Sequence, residues 1–271
     1  METARSTLPL AALALAACSS PASVELGERL RDGRYTVDGV ELPSSRRVEL
    51  SSKLLGAFQY RTAAGDVELE GADVDVAKLE VVVYETRPGD AMVSFENGTI
   101  SARSKTGHPV ALAHLRGTIP RSTALLLSSD AGRLALHGFA GSAEIRIECG
   151  KGPVQVADVR GDSLRLRSGS AALEMRACRA RLARVESDEG AIDLEDCGVT
   201  DLEARSAVGA IALRGGEYGR VSAESPEGTI LFERCHAVSA SARTVSGDVV
   251  ARDASFVEPP TFRTVRGKLS P

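Results

Sequence analysis

The chain has no tryptophan, and its four tyrosines and six phenylalanines are the only aromatics in 271 residues. The interior therefore has to be aliphatic. Histidine is as scarce: His108, His114, His137 and His236 stand far apart without ligand spacing, which argues against a histidine-centred metal site. A formal net charge of −4 leaves no basic excess, so nucleic acid is not an expected partner. Beyond the N-terminus no apolar run is long enough to cross a bilayer. No serine occupies a GxSxG elbow, and the calcium-binding nonapeptide GGxGxDxUx is missing. No catalytic residue, cofactor site or metal site is expected, and the chain reads as a protein that is not an enzyme.

A repeat is present instead. SDEGAIDLEDC from Ser187, SAVGAIALRGG from Ser206 and SPEGTILFERC from Ser225 begin nineteen residues apart. The frame extends to a column of small residues at Gly132, Gly152, Ala171, Gly190, Gly209, Gly228, Gly247 and Gly267. Three residues before each stands Ser129, Cys149, Ser168, Ser187, Ser206, Ser225, Thr244 or Thr264, a hydroxyl column with one cysteine. Apolar pairs follow the glycine at alternating positions, as in Ile192 and Leu194 or Ile211 and Leu213, and period two marks a strand with one buried face. A second alternating segment completes each unit, as in Leu164 and Leu166 or Leu202 and Ala204.

Nineteen residues cannot hold a strand, a crossover helix and a return strand, which need about thirty. The expected fold is all-β, a parallel β-solenoid (β-helix) with one coil per unit. Stacked in register, equivalent positions lie about 4.8 Å apart, and opposite charges should alternate along columns. They do. One column reads Glu148, Arg167, Glu186, Arg205, Glu224, Arg243, and another reads Arg176, Glu195, Arg214, Glu233, Arg252.

The N-terminal run STLPLAALALAAC has the length of an export signal rather than a membrane span. Its end, Leu15 to Cys18, resembles the bacterial lipobox, which implies cleavage before Cys18 and lipid attachment to it. The expected layout is a lipoprotein signal peptide at 1–17, lipidated Cys18 with a flexible tether over 18–45, an irregular β-rich start over 46–120, and regular coils over 121–271. Asn97-Gly98 signals a tight hairpin turn, and Pro259 and Pro260 blunt the last sheet edge.

Candidate chemistry was weighed on the coil frame. Glu174 and Asp193 share a column in adjacent coils, a spacing of about 5 Å that would suit a retaining glycosidase. Arg176 and Arg214 lie one row over, and an acidic coil from Ser187 stacks on a basic one, pairing Arg167 with Glu186, Arg176 with Glu195 and Arg184 with Glu203. Charge pairing accounts for these acids without catalysis. Arg160-Gly161-Asp162 spells the integrin tripeptide at a coil corner, where chance is the simpler account. Cys178, Cys197 and Cys235 share one inward column with Phe139 and Val159. Cys178 and Cys197 fall within Cα reach of a disulfide, although parallel side chains make poor disulfide torsions, so the pairing stays open.

The stretches GTIPRSTALLLSSDAGRLALHGFAG, IECGKGPVQVADVRGDSLRLRSGSAALEM and SAVGAIAL resemble the bacterial "putative adhesin" β-solenoid family over residues 47–271. The family's Ser-Gly-Asp-hydrophobic step survives only as SGDV near Gly247 and AGDV near Gly65. The resemblance implies a solenoid and an envelope setting, and no catalytic residue. The expectation is a non-enzymatic, adhesin-like or scaffolding protein held to membrane lipid through Cys18 at the bacterial cell envelope, on the periplasmic or surface side of the outer membrane, with an envelope protein or a polysaccharide as partner. A carbohydrate-active β-helix enzyme and an envelope sensor subunit are the alternatives.

Overall fold

The computed structural model describes residues 28–29, 35–141 and 144–270. The signal peptide, Cys18 and residues 19–27 lie outside them. Among the described residues all regular structure is β. In each coil a long strand such as Arg179–Ser187 is followed by a turn at the glycine column, a short strand such as Ile192–Glu195, and a corner into the next long strand, Gly198–Ser206. Long strands stack into one twelve-stranded sheet and short strands into another. The register advances nineteen residues at a time: Leu164, Ala183, Leu202, Val221 and Ala240 are successive partners. The inward residues of both sheets form one continuous aliphatic core.

The glycine turn explains the repeat. A Cβ built on Gly190, Gly209, Gly228 or Gly247 would run into the backbone carbonyl of the equivalent residue one coil earlier. The constraint is close approach of backbones rather than an unusual dihedral. The buried hydroxyl three residues earlier ties the two coils together. Ser206 Oγ donates to the Gly190 carbonyl at 3.1 Å and accepts from Gly209 N–H at 2.9 Å. Ser225 and Thr244 repeat the pattern. Cys149 makes the same two contacts through sulfur, to the Gly132 carbonyl at 3.4 Å and from Gly152 N–H at 3.3 Å. Where alanine replaces glycine, at Ala171, the Ser168 hydroxyl donates instead to the Ala171 carbonyl of its own turn.

The opposite corner holds a second column. Gly138, Asp158, Ala177, Asp196, Gly215, Arg234 and Asp253 all have left-handed backbones, with φ between 49° and 77°. Aspartate tolerates this region better than most residues, and glycine enters it freely. That composition was the available sequence signal.

Both charge columns stack in register as expected. Ion pairs follow them at Arg176–Glu195 (3.1 Å), Arg214–Glu233 (3.7 Å) and Arg205–Glu224 (3.9 Å), and Arg184–Glu203 (3.7 Å) does the same in a neighbouring column. The expected Arg167–Glu186 pair is replaced. Arg184 lies two residues before Glu186 on the same outward face and reaches it at 2.6 Å, while Arg167 turns to Asp188 at 3.7 Å.

The N-terminal region is more ordered than the sequence suggested. Phe58–Ala64 and Val67–Ala72 form a coil whose parallel successor, Leu125–Ala131 and Leu134–His137, lies beyond a long insertion. Further strands extend both sheets past this first coil: Val110–Pro120 and Thr99–Ser104 from the insertion join it in parallel, Ala77–Glu85 and Ala91–Glu96 from the insertion continue the sheets antiparallel, and Ser44–Ser52, which precedes the coil in sequence, pairs antiparallel with Ala77–Glu85. Asn97 and Gly98, both with positive φ, make the expected turn between Ala91–Glu96 and Thr99–Ser104. Residues 35–45, expected within the tether, instead form Tyr35–Val37, Val40–Leu42 and the start of Ser44–Ser52. Asp38-Gly39 turns the first pair with φ of 48° and 78°, and Tyr35 stacks on Tyr84 with ring centroids 4.8 Å apart.

Eight of the ten aromatics gather at the two ends. Phe58 meets Phe95 edge-on at the first coil, and Phe232, Phe256 and Phe262 pack together at the last. Pro259 and Pro260 split the final long strand into Ser255–Phe256 and Thr261–Arg263, both paired to His236–Arg243. An end coil has no further coil to cover its core, so bulky rings take over that burial.

Two buried acids organise the insertion. Glu85 accepts from Gly89 and Ala91 N–H at 2.8 and 2.7 Å and pairs with Arg46 at 3.3 Å. Asp90 accepts from the Ser104 and Thr106 hydroxyls and from the Lys105 and Thr106 amides. The Ser104 hydroxyl is the largest cause of its lowered pKa.

Arg205→Glu would set residue 205 as a third carboxylate in register between Glu186 and Glu224. It should cost on the order of 1 kcal/mol at low salt, from cross-strand pairs worth roughly 0.2 to 1 kcal/mol each, and less as salt rises. Urea melts at two ionic strengths measure this, and an unchanged midpoint contradicts in-register stacking. Asp90 gives a pH signature. Its folded pKa is depressed, so its contribution is complete above the unfolded value of about 3.9 and is lost as pH falls through the folded one. Asp90→Asn should narrow the gap to wild type in thermal melts as pH drops from 7 to 3; a gap constant over that range argues against the carboxylate's role.

Candidate functional site

Along the regular coils many neighbouring charges answer one another. A different arrangement lies where the short-strand sheet passes from the regular coils into the insertion. Val67–Ala72 pairs on one side with Leu134–His137 and on the other with Val110–Pro120, so the sheet continues without a break. Val110–Pro120 carries a register shift between Ala113 and Leu115, and such bulges bend and twist a strand. At Gly117, φ is 150°, and a Cβ there would collide with the Lys78 carbonyl, so glycine lets the bent strand lie close to its neighbour.

The outcome is a groove of about 1080 Å³ on the outer face. Two rows of outward side chains cross it. One runs Ala135, Glu68, Arg116, Glu80, Glu49, and the other runs His137, Glu70, Thr118, Lys78, Ser51. Arg116 pairs with Glu80 at 3.0 Å, and Arg47 approaches the same carboxylate at 3.7 Å. At the coil side Arg133 Nε donates to Gln155 Oε1 at 2.9 Å, and Gln155 Nε2 donates to Glu174 Oε2 at 3.2 Å. His137 sits 3.3 Å from Asp158. Among the described residues Glu49, Glu68, Glu70 and Lys78 have no ion-pair partner, although their equivalents on the ladders mostly do.

The residues weighed from sequence fall elsewhere. Glu174 and Asp193 are in-register neighbours, on the short-strand sheet beyond the groove. Each is engaged: Asp193 with Arg214, and Glu174 with Gln155 and, at 3.9 Å, Arg176. Neither residue lines the groove. The histidines are not brought together: His114 faces Asp66, His137 faces Asp158, and His236 bonds Ser255. No group of three or more His, Cys, Asp or Glu able to hold a metal occurs among the described residues. Arg160, Gly161 and Asp162 open the long strand Arg160–Ser168, with both charged side chains exposed.

Cys149, Cys178, Cys197 and Cys235 are free and buried. Cys178 and Cys197 sit against one another, and that thiol contact, followed by burial, pushes the Cys178 pKa far up. Burial pushes Cys235 up to about 11. Cys178 and Cys235 are packed thiols in an apolar corner rather than nucleophiles. Cys18 lies outside the described residues.

The groove escaped sequence reading because its other wall comes from Ser44–Ser52, Ala77–Glu85 and Val110–Pro120, strands off the nineteen-residue frame whose antiparallel pairing no repeat announces.

Comparison with known proteins bears on the fold. The family model for Toastrack DUF4097 matches residues 115–261. No curated protein is detectably similar in sequence. Among solved structures, a "putative adhesin" from Parabacteroides distasonis ATCC 8503 is 12% identical, with 83% of this chain and 97% of that chain covered and a TM-score of 0.51. Another from Bacteroides fragilis NCTC 9343 is 13% identical over 84% and 99% of the chains, with a TM-score of 0.48. A "putative lipid binding protein" from Parabacteroides distasonis ATCC 8503 is 13% identical over 84% and 97%, with a TM-score of 0.40. The matched segment holds the hydroxyl column from Ser129 to Thr244, the turns from Gly132 to Gly247 and both charge ladders, and the chain belongs to the Toastrack DUF4097 family.

Proposed function

We propose that this protein is a non-enzymatic, adhesin-like component of the bacterial cell envelope, anchored to lipid through Cys18, which engages an envelope partner through the groove at the N-terminal end of its solenoid. The observation that carries the reading is the groove, where a rigid sheet presents Glu49, Glu68, Glu70 and Lys78 without ion pairs of their own. Polar side chains held on strands and not satisfied within the protein are suited to a partner's polar groups. Charge favours an extended partner segment bearing amines. The "putative adhesin" description of the structure with a TM-score of 0.51 is in keeping with this role. The Leu15 to Cys18 lipobox supports the anchor. The engagement of Glu174 by Gln155 and Arg176 and of Asp193 by Arg214 accounts for both acids without hydrolysis.

Cys18→Ser should leave the fold intact and release the protein from membranes, since residue 18 precedes every described strand and stable anchoring depends on its acyl chains. Palmitate labelling checks this, and equal labelling of mutant and wild type would sink the anchor. For the groove, the tagged protein is recovered from crosslinked envelopes beside Glu68→Lys/Glu70→Lys. The expected result is a partner band lost in the variant, whose stability stays within about 0.5 kcal/mol of wild type, as for surface changes. A partner retained by the variant places recognition elsewhere on the molecule.

A further inference from the structure

The strands Arg160–Ser168 and Arg179–Ser187 carry arginines at 160, 165, 167, 179, 181 and 184. Three have acid partners: Arg165 with Glu144 at 3.5 Å, Arg167 with Asp188 at 3.7 Å, and Arg184 with Glu186 at 2.6 Å. The other three, Arg160, Arg179 and Arg181, sit together at the starts of the strands and pair with no carboxylate among the described residues. Arg160 and Arg179 are direct register partners. Their Cα atoms are therefore about 4.8 Å apart, a like-charge contact that the fold elsewhere offsets with an acid.

The three arginines border a shallow depression of about 380 Å³. Its other walls are small: Gly141, Gly161, Ala180 and Gly198. At Gly198 a Cβ would strike the Arg179 guanidinium, which lies across that glycine in the next coil. The one carboxylate in the depression, Asp162, forms no ion pair with any of the three.

We propose that this corner is a binding site for a phosphate group. Guanidinium forks match tetrahedral oxyanions, donating two parallel N–H bonds to each. A dianion placed between Arg160 and Arg179 converts their mutual repulsion into attraction, and Arg181 supplies a third positive charge. A single carboxylate would leave most of that charge unanswered. The glycines leave space for the tetrahedral group at the protein surface. The site is on the long-strand sheet, distinct from the groove, and does not depend on what the groove binds.

Inorganic phosphate is the probe, added to the full protein against chloride at equal ionic strength. Phosphate should raise the thermal midpoint above the chloride value, because a ligand bound only by the folded state stabilises it. Titration by calorimetry should show affinity falling about tenfold or more for each arginine removed, the loss expected of a charge-assisted hydrogen bond. Arg160→Gln/Arg179→Gln should lose the response, Arg181→Gln should weaken it, and Arg243→Gln, remote on the same sheet, should keep it. Relief of the Arg160–Arg179 contact means the double variant should melt in chloride no lower than wild type. Were it to misfold, Arg181→Gln alone would still decide the matter. Flotation with phosphatidic acid vesicles against phosphatidylcholine vesicles separates the sources. Binding to the former alone identifies a lipid headgroup, and a phosphate response without vesicle binding identifies a soluble phosphate ester. Equal midpoints in phosphate and chloride, or equal responses from wild type and the double variant, would overturn the proposal.

Discussion

Everything regular in this molecule depends on how closely consecutive coils approach at the glycine turn. There the carbonyl of one coil occupies the space that a Cβ of the next would need. That approach holds the coils in register and lets a buried hydroxyl three residues upstream reach across to the preceding carbonyl while accepting its own coil's amide. Each such bond is worth only about 1 kcal/mol net, but it recurs coil after coil and locks the stacking frame. Once the frame is set, the core columns and the charge ladders follow, because every outward residue faces the residue nineteen positions away.

A solenoid has two ends at which this arrangement runs out, and the chain treats them differently. At the C-terminal end Phe256 and Phe262 close over Phe232, and the adjoining prolines interrupt the edge strand. At the N-terminal end the insertion carries both sheets onward, first in parallel and then antiparallel, with Phe95 on Phe58 and with buried Glu85 and Asp90 tying its loops. Aromatic residues are absent from most of the interior because aliphatic columns fill a repeating coil evenly; rings are spent where a coil has no neighbour.

The same logic separates satisfied charge from unsatisfied charge. On the ladders Arg176, Arg205 and Arg214 each meet a glutamate in the next coil. Such pairing fails on the two surfaces with functional readings: the groove, because antiparallel pairing breaks the nineteen-residue alternation, and the arginine corner, because register sets Arg160 beside Arg179. Acids that looked catalytic in sequence, Glu174 and Asp193, sit where pairing succeeds.

By itself the sequence determined the all-β solenoid, its coil length, its inward and outward residues and its charge columns, all of which depend on relations between residue i and residue i+19. The left-handed corner column was written there too, in the aspartates and glycines at 138, 158, 196, 215 and 253, though it is easily passed over. Only the tertiary structure decided that Phe58–Ala72 is a true coil separated from its successor by an insertion, that residues 35–45 form strands, and that a groove results. It also decided which acid each arginine chooses, since Arg184 and Arg167 both could reach Glu186. The physical reason is common to these cases. A repeat repeats its contacts, whereas antiparallel pairing and the rotamer of a long side chain depend on neighbours whose sequence separation carries no period.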